Sequence, residues 1–166
     1  MIAIKKILVA TDFGPASETA LGYGRALALQ FDAALHVLHV MESVAMTAAT
    51  EYGFSGLPVE FQLELEAAAR KRTEELLTEE DRRLIHATAV VVRHNTPAAA
   101  VVEYAQTNHI DLIVVGTHGR GALGHLFMGS VAERVVRTAP CPVLAVRNPE
   151  HEFVMPDALV AVSHAQ

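Results

Sequence analysis

The chain has one cysteine, Cys141, no tryptophan, and no lysine after Lys71. A single thiol excludes an intramolecular disulfide framework and a Cys-x-x-Cys metal or redox pair. Set between Pro140 and Pro142, Cys141 reads as a small packing residue. Aromatics make up 5% of the residues, too few for a platform that stacks nucleic-acid bases. A formal net charge of -6 gives no uniform attraction to nucleic acid either. No apolar run reaches the roughly 18 residues that a membrane span needs, and Met1 opens directly onto a strand-like segment without a secretory apolar region. The sequence therefore predicts a cytoplasmic protein with neither nucleic acid nor membrane as partner. Histidine is plentiful, with nine residues. Yet His36 and His39 lie three apart on a predicted strand, which sends them to opposite faces, and the others lack His-x-x-x-His spacing. No dedicated metal site is expected.

What is present is a regular alternation of apolar strands and amphipathic helices. With 166 residues, of which 51% are hydrophobic, the chain can bury a full core in one domain. Ile4 to Thr11 is a β-branched, apolar run ending in the turn residues Asp12-Phe13-Gly14-Pro15. A helix follows from Ser17 to about Gln30, with Ala20, Gly24, Leu27 and Phe31 at helical spacing and Gly24 permitting close approach to a sheet. Ala34 to Val40 is the second strand. Residues 41–58 lose periodicity and predict a long loop, by default a mobile connector, with a lid over a ligand or a surface for a partner as the functional alternatives.

Val59 to about Leu84 predicts one long helix, with Phe61, Leu65, Ala69, Leu76 and Leu84 on one face and i,i+4 pairs Glu66 with Arg70 and Glu79 with Arg83. Ala87 to Arg93 is the third strand. Thr96 and Pro97 supply an N-cap and first position for the next helix. Ile110 to Val115, Val131 to about Arg137, and Pro142 to Val146 complete the order β-α-β-α-β-α-β-α-β. Strict alternation with near-continuous apolar strands predicts an α/β fold, a parallel sheet with helices on both faces. In such sheets ligands bind beyond the carboxyl ends of the strands, where the strand order reverses.

Five of the ten glycines fall between Gly116 and Ser130, in G-T-H-G-R-G-A-L-G-H-L-F-M-G-S. The run leaves a strand and enters a helix N-terminus, where open amides and the helix dipole favour an anion such as phosphate. Walker A is absent, because Gly124 is followed by His125 rather than lysine. Gly119-Arg120-Gly121-Ala122-Leu123-Gly124 matches the dinucleotide fingerprint but begins several residues beyond the strand, where that motif needs to start on the turn. Ser130 with Glu133 also reads as a capping box, and Asp12 as a turn residue or helix cap. Those structural readings stay open beside the ligand readings. Arg120 is either a phosphate neutraliser or a solvated loop arginine.

The spacing that fits is Gly116, two residues, Gly119, nine residues, Gly129-Ser130. With V-A-T-D-F at Val9 to Phe13, L-H-V at Leu38 to Val40, D-L-I-V-V-G at Asp111 to Gly116 and C-P-V-L-A-V at Cys141 to Val146, residues 1–147 resemble the ATP-binding branch of the universal stress protein family. The resemblance implies a doubly wound, Rossmann-like five-stranded sheet of order 3-2-1-4-5 and a homodimer through strand five. It also implies ATP in the crevice. Asp12 and Val40 would lie beside the adenine or ribose, with Ala10 and Val115 lining the same pocket. Gly116 and Gly119 would approach the phosphates, and Gly129, Ser130 and Val131 would close over them. Mg2+ or Mn2+ would accompany ATP, held through phosphate oxygens and water. A nucleotide-dependent regulator or sensor is the function so implied. A slow ATP hydrolase and a dimeric module without nucleotide are the alternatives, and the second disagrees with the complete loop. An unidentified protein partner is compatible with any of these. Residues 148–166 form an extension whose apolar stretch, Ala158 to Val162, would pack on the domain or on a second copy.

Overall fold

The computed structural model describes residues 2–42, 59–117 and 129–147. The expected loop from residue 43 onward, Gly119 and Arg120 of the glycine run, and the extension from residue 148 lie outside the described residues. Five strands, β1 (Lys6–Thr11), β2 (Ala34–Met41), β3 (Thr88–Arg93), β4 (Leu112–Gly116) and β5 (Val143–Val146), pair in the order β3-β2-β1-β4-β5. Every pairing is parallel. The expected doubly wound sheet of order 3-2-1-4-5 is therefore the fold.

The central strand explains the apolar runs. Ile7 pairs between Leu35 and Leu112, and Val9 between Val37 and Val114; Ile7 and Val9 join the core on one face and Leu8 the core on the other, so both faces of β1 are covered. Ile7, Leu8 and Val9 are fully buried. Helix α1 (Pro15–Phe31) packs on one face of the sheet with the pair α2 (Val59–Glu75) and α3 (Glu79–Leu84). Helices α4 (Pro97–Thr107) and α5 (Ser130–Thr138) cover the other face through Ala98, Val101, Ala105, Ala132 and Val135. From β1 the chain thus crosses one face to β2, and from β4 it crosses the opposite face to β5. Their carboxyl ends part at this point, and a crevice opens between the two departing helices.

Gly24 shows why α1 can lie so close. A Cβ there would come within 2.4 Å of Val9 Cγ2, so the expected close approach is a real contact. His36 and His39 do face opposite sides, as strand alternation requires. His36 Nδ1 lies 2.8 Å from the Tyr104 hydroxyl of α4, whereas the His39 ring packs against Phe13 with centroids 4.3 Å apart.

Several local expectations are corrected. The long helix from Val59 to Leu84 is two helices, because Thr78 starts a new one. Its side chain accepts from the Asp81 amide at 3.0 Å, and the Asp81 carboxylate accepts from the Thr78 amide at 2.9 Å. This reciprocal box stabilises a helix start and so competes with continuation. The T-E-E-D run carried that signal. The supposed common face is broken accordingly: Phe61 and Leu84 are each 45% exposed, and Thr73 is the buried residue of α2. Glu66 and Arg70 pair as expected at 2.8 Å, but Arg83 turns to Glu80 rather than Glu79. Thr96 does occupy the N-cap of α4 with Pro97 next, yet its side chain makes no capping bond; its amide instead donates to His94 Nδ1 at 2.9 Å. Among the described residues no helix is long and apolar enough to cross a membrane.

Candidate functional site

A cavity of about 700 Å³ occupies the crevice. Its floor is the ends of β1, β2 and β4, and its walls are the first turns of α4 and α5, with Pro97 and Val101 contributed by α4. Of the residues nominated from the sequence, Ala10, Asp12, Val40, Val115, Gly116, Gly129, Ser130 and Val131 all line it. Positions more than a hundred residues apart meet because β1 and β4 are neighbours across the switch point.

The β1 corner is locked by its own hydrogen bonds. Asp12 Oδ1 accepts from the Gly14 amide at 2.9 Å and lies 2.9 Å from the Ser17 hydroxyl, an Asx turn that leads into α1. Gly14, not Asp12, is the N-cap of that helix, with Pro15 following. Phe13 adopts the left-handed region at φ 62°. Its amide donates to Thr11 Oγ1 at 3.0 Å, and its ring contacts both the His39 ring and the Arg72 guanidinium, the latter 4.2 Å from the ring centroid. His39 donates from Nδ1 to the Thr11 carbonyl at 2.9 Å, which fixes the tautomer of a residue in the cavity wall.

The β4 corner is arranged differently. The chain leaves the sheet at Thr117, and the Gly129 amide donates back to the Thr117 carbonyl, clasping the two ends of the glycine run. Gly129 is the N-cap of α5 and Ser130 its first residue. The expected capping box is not formed: Ser130 lies inside the helix, the cap has no side-chain bond, and Glu133 pairs with Arg137 at 3.1 Å. Glu133 donates its amide to the Gly129 carbonyl, so the first-turn donors without a carbonyl four residues back are those of Ser130, Val131 and Ala132. All three residues line the cavity.

Gly116 has a second role that its motif position did not disclose. A Cβ there would lie 2.6 Å from the carbonyl carbon of Ala16, in the first turn of α1. Main-chain contact between α1 and β4 therefore demands glycine whether or not a phosphate approaches.

Thr11, Ser17, Leu38, His39, Met41, Glu42, Pro97, Val101 and Ala132 also line the cavity and were not nominated from the sequence. Leu38 was legible from strand parity with Val40. Pro97 and Val101 were not, since no local signal says where the first turn of α4 docks. On the α4 side, burial and then the charge of Lys6 push the His36 pKa below its ordinary value, and burial raises that of Tyr104. Burial likewise raises the pKa of the half-buried Cys141, assisted by the Asp111 carboxylate, which fits a packing thiol rather than a nucleophile. Among the described residues no group of three or more His, Cys, Asp or Glu side chains is placed to hold a metal ion.

Residues 3–147 match the profile of the universal stress protein family. A universal stress protein of Methanocaldococcus jannaschii is 32% identical over 152 residues, covering 89% of this chain and 85% of its own. Universal stress protein A homolog 1 of Coxiella burnetii is 36% identical over 148 residues, covering 86% and 95%. Among solved structures, the universal stress protein UspA of Lactobacillus plantarum superposes with a TM-score of 0.68 at 26% identity, covering 89% of this chain and all of that one. Two more distant structures share the fold. One is a universal stress protein in complex with cAMP, at TM-score 0.61 and 22% identity, covering 88% and 98%. The other is that of Archaeoglobus fulgidus in complex with dAMP, at TM-score 0.56 and 18% identity, covering 88% and 99%.

Proposed function

The chain belongs to the universal stress protein family, and from that premise we propose that it is an ATP-binding regulator in a stress response, with nucleotide occupancy altering the geometry of a homodimer. One observation carries this reading: a single cavity joins the open first-turn amides of α5 to an apolar slot formed by Ala10, Val40 and Val115. Helix-terminal donors and the macrodipole suit a polyphosphate, and the slot suits a flat heterocycle. Nucleotides in two similarly folded proteins, cAMP in one and dAMP in the other, support the same ligand class.

In this reading Ser130 and Val131 hold the terminal phosphates, with Gly119 and Arg120 assigned to them by motif spacing. Asp12 lies on the ribose and base side. Mg2+ or Mn2+ enters with ATP, bound to phosphate oxygens and water. Asp12 Oδ1 is engaged by Gly14 and Ser17, so we assign it no role as a general base and place ATP hydrolysis, at most, at a slow rate. The dimer forms along β5, an edge strand whose Val143 and Ala145 would pair with the same strand of a second copy in the cytoplasm.

Protein purified under native conditions and then denatured should release adenine nucleotide, identified by chromatography, and the stripped protein should bind ATP by calorimetry. No released nucleotide together with no heat of ATP binding would reject the reading.

A further inference from the structure

We propose that Glu42 is the specificity-determining residue for ribose in this cavity, its carboxylate accepting hydrogen bonds from the 2′- and 3′-hydroxyls of a bound ribonucleotide. This rests on the nucleotide reading above and adds the orientation and sugar preference of the ligand.

The cavity is polar at both ends in opposite senses. At the β4 side the first turn of α5 offers amide donors and the positive end of a helix dipole, which attracts phosphate. At the β2 side Glu42 follows directly on Met41, the last residue of the strand. Its side chain is exposed and lines the same cavity. Among the described residues it makes no hydrogen bond or ion pair. The two ends are separated by the width of β2-β1-β4, two strand spacings or about 10 Å. A nucleotide laid across the strand ends would therefore keep its anionic portion away from Glu42. What reaches Glu42 must be a donor, because a carboxylate only accepts.

Asp12 is the other carboxylate in the lining, and one of its oxygens already serves the turn into α1. Glu42 has no such structural duty. In dinucleotide-binding sheets an acidic residue beyond the strand next to β1 accepts from the ribose hydroxyls, and β2 is that strand here. Carboxylate acceptance from a vicinal diol also disfavours a 2′-phosphate by charge repulsion.

The test uses the full chain, stripped of nucleotide, and its Glu42→Gln and Glu42→Ala variants, with ATP, 2′,3′-dideoxy-ATP and ITP as calorimetric probes and thermal unfolding as the folding control. Wild type should bind dideoxy-ATP at least tenfold more weakly than ATP. Both variants should lose about tenfold for ATP and ITP alike, while their affinity for dideoxy-ATP stays within twofold of wild type. Equal losses for ATP and dideoxy-ATP would overturn the proposal. So would a loss for ATP but not ITP, which would place the carboxylate on the base amino group. A gain in ATP affinity in both variants would also overturn it, reducing Glu42 to a charge that repels phosphate. If wild type binds none of the three nucleotides, the nucleotide reading itself fails and this proposal falls with it.

Discussion

At the end of β1 the chain turns through Asp12, Phe13 and Gly14 into α1. At the end of β4 it passes Gly116 and Thr117 and returns at Gly129 to start α5. Both are strand-to-helix junctions at the same edge of the same cavity, but their polar groups are used differently. In the β1 corner the donors and acceptors serve one another: Gly14 and Ser17 engage Asp12 Oδ1, Phe13 bonds to Thr11, and His39 bonds to the Thr11 carbonyl. In the β4 corner one amide, that of Gly129, closes the loop, and the next three belong to a helix start with no side-chain cap. A junction closed by its own side chains is structural first. Neither α1 nor α5 has a side-chain cap bond, so the difference lies in where the open first turn points: Ser130, Val131 and Ala132 of α5 all line the cavity, whereas from the first turn of α1 only Ser17 does.

Substitutions can break that contrast, and Asp81, a carboxylate outside both corners, sets the scale. Burial opposes its charged form, but donation from Thr78 and Arg25 outweighs this and holds its pKa below the ordinary value. Asp81→Ala removes both the α3 capping box and the 3.0 Å pair with Arg25, which is partly exposed, and should cost about 2–3 kcal/mol. ATP affinity should not change. Because the folded pKa is lowered, this stabilisation is fully present above the unfolded value of about 4 and is lost as pH falls through the folded one. Wild type should therefore show an acid-induced loss of stability in that window that the variant lacks, as read by denaturant titrations at stepped pH.

Gly116→Val should be the next largest effect. It forces a side chain against the Ala16 main chain, and a cost of about 2 kcal/mol is expected from overpacking, with Tm falling about 2–4 °C per kcal/mol. Unchanged Tm with lost ATP binding would show instead that Gly116 serves the ligand alone. Ser130→Asp probes the open corner cleanly. An acid in the first turn favours the helix dipole, so Tm should hold or rise, while phosphate repulsion lowers ATP affinity at least tenfold, about 1.4 kcal/mol. Equal ATP affinity in calorimetry would remove the phosphate from α5. Asp12→Ala should have the smallest effect, about 1 kcal/mol in chemical denaturation, from leaving the Gly14 amide without its acceptor, while the Ser17 hydroxyl keeps the Gly14 carbonyl. Asp12→Asn keeps that oxygen and should stay within about 0.5 kcal/mol of wild type.

Much of the fold was legible because its signals are local. The apolar runs of β1 and β4, the Pro97 helix start and the spacing Gly116, Gly119, Gly129-Ser130 all lie on the chain in order. The break at Thr78 was legible too, in T-E-E-D, but helical periodicity across residues 59–84 masked it. The Ser130-Glu133 box illustrates the opposite failure. Its residue types fit the pattern, yet the helix begins one position earlier in register, at the Gly129 cap, so Ser130 cannot reach back to an amide it would need to precede.

Residue types at short spacing are enough to set the alternation of strands and helices, the burial of Ile7 to Val9 on both faces and the glycine run that ends at an α-helix. Long-range packing is what makes Gly116 a required glycine against Ala16 and brings Glu42 and Pro97 into one cavity with Ser130. Those facts depend on which strands become neighbours and how closely α1 and α4 dock on them. Such distances are set by packing across the whole sheet, and no short stretch of sequence encodes them.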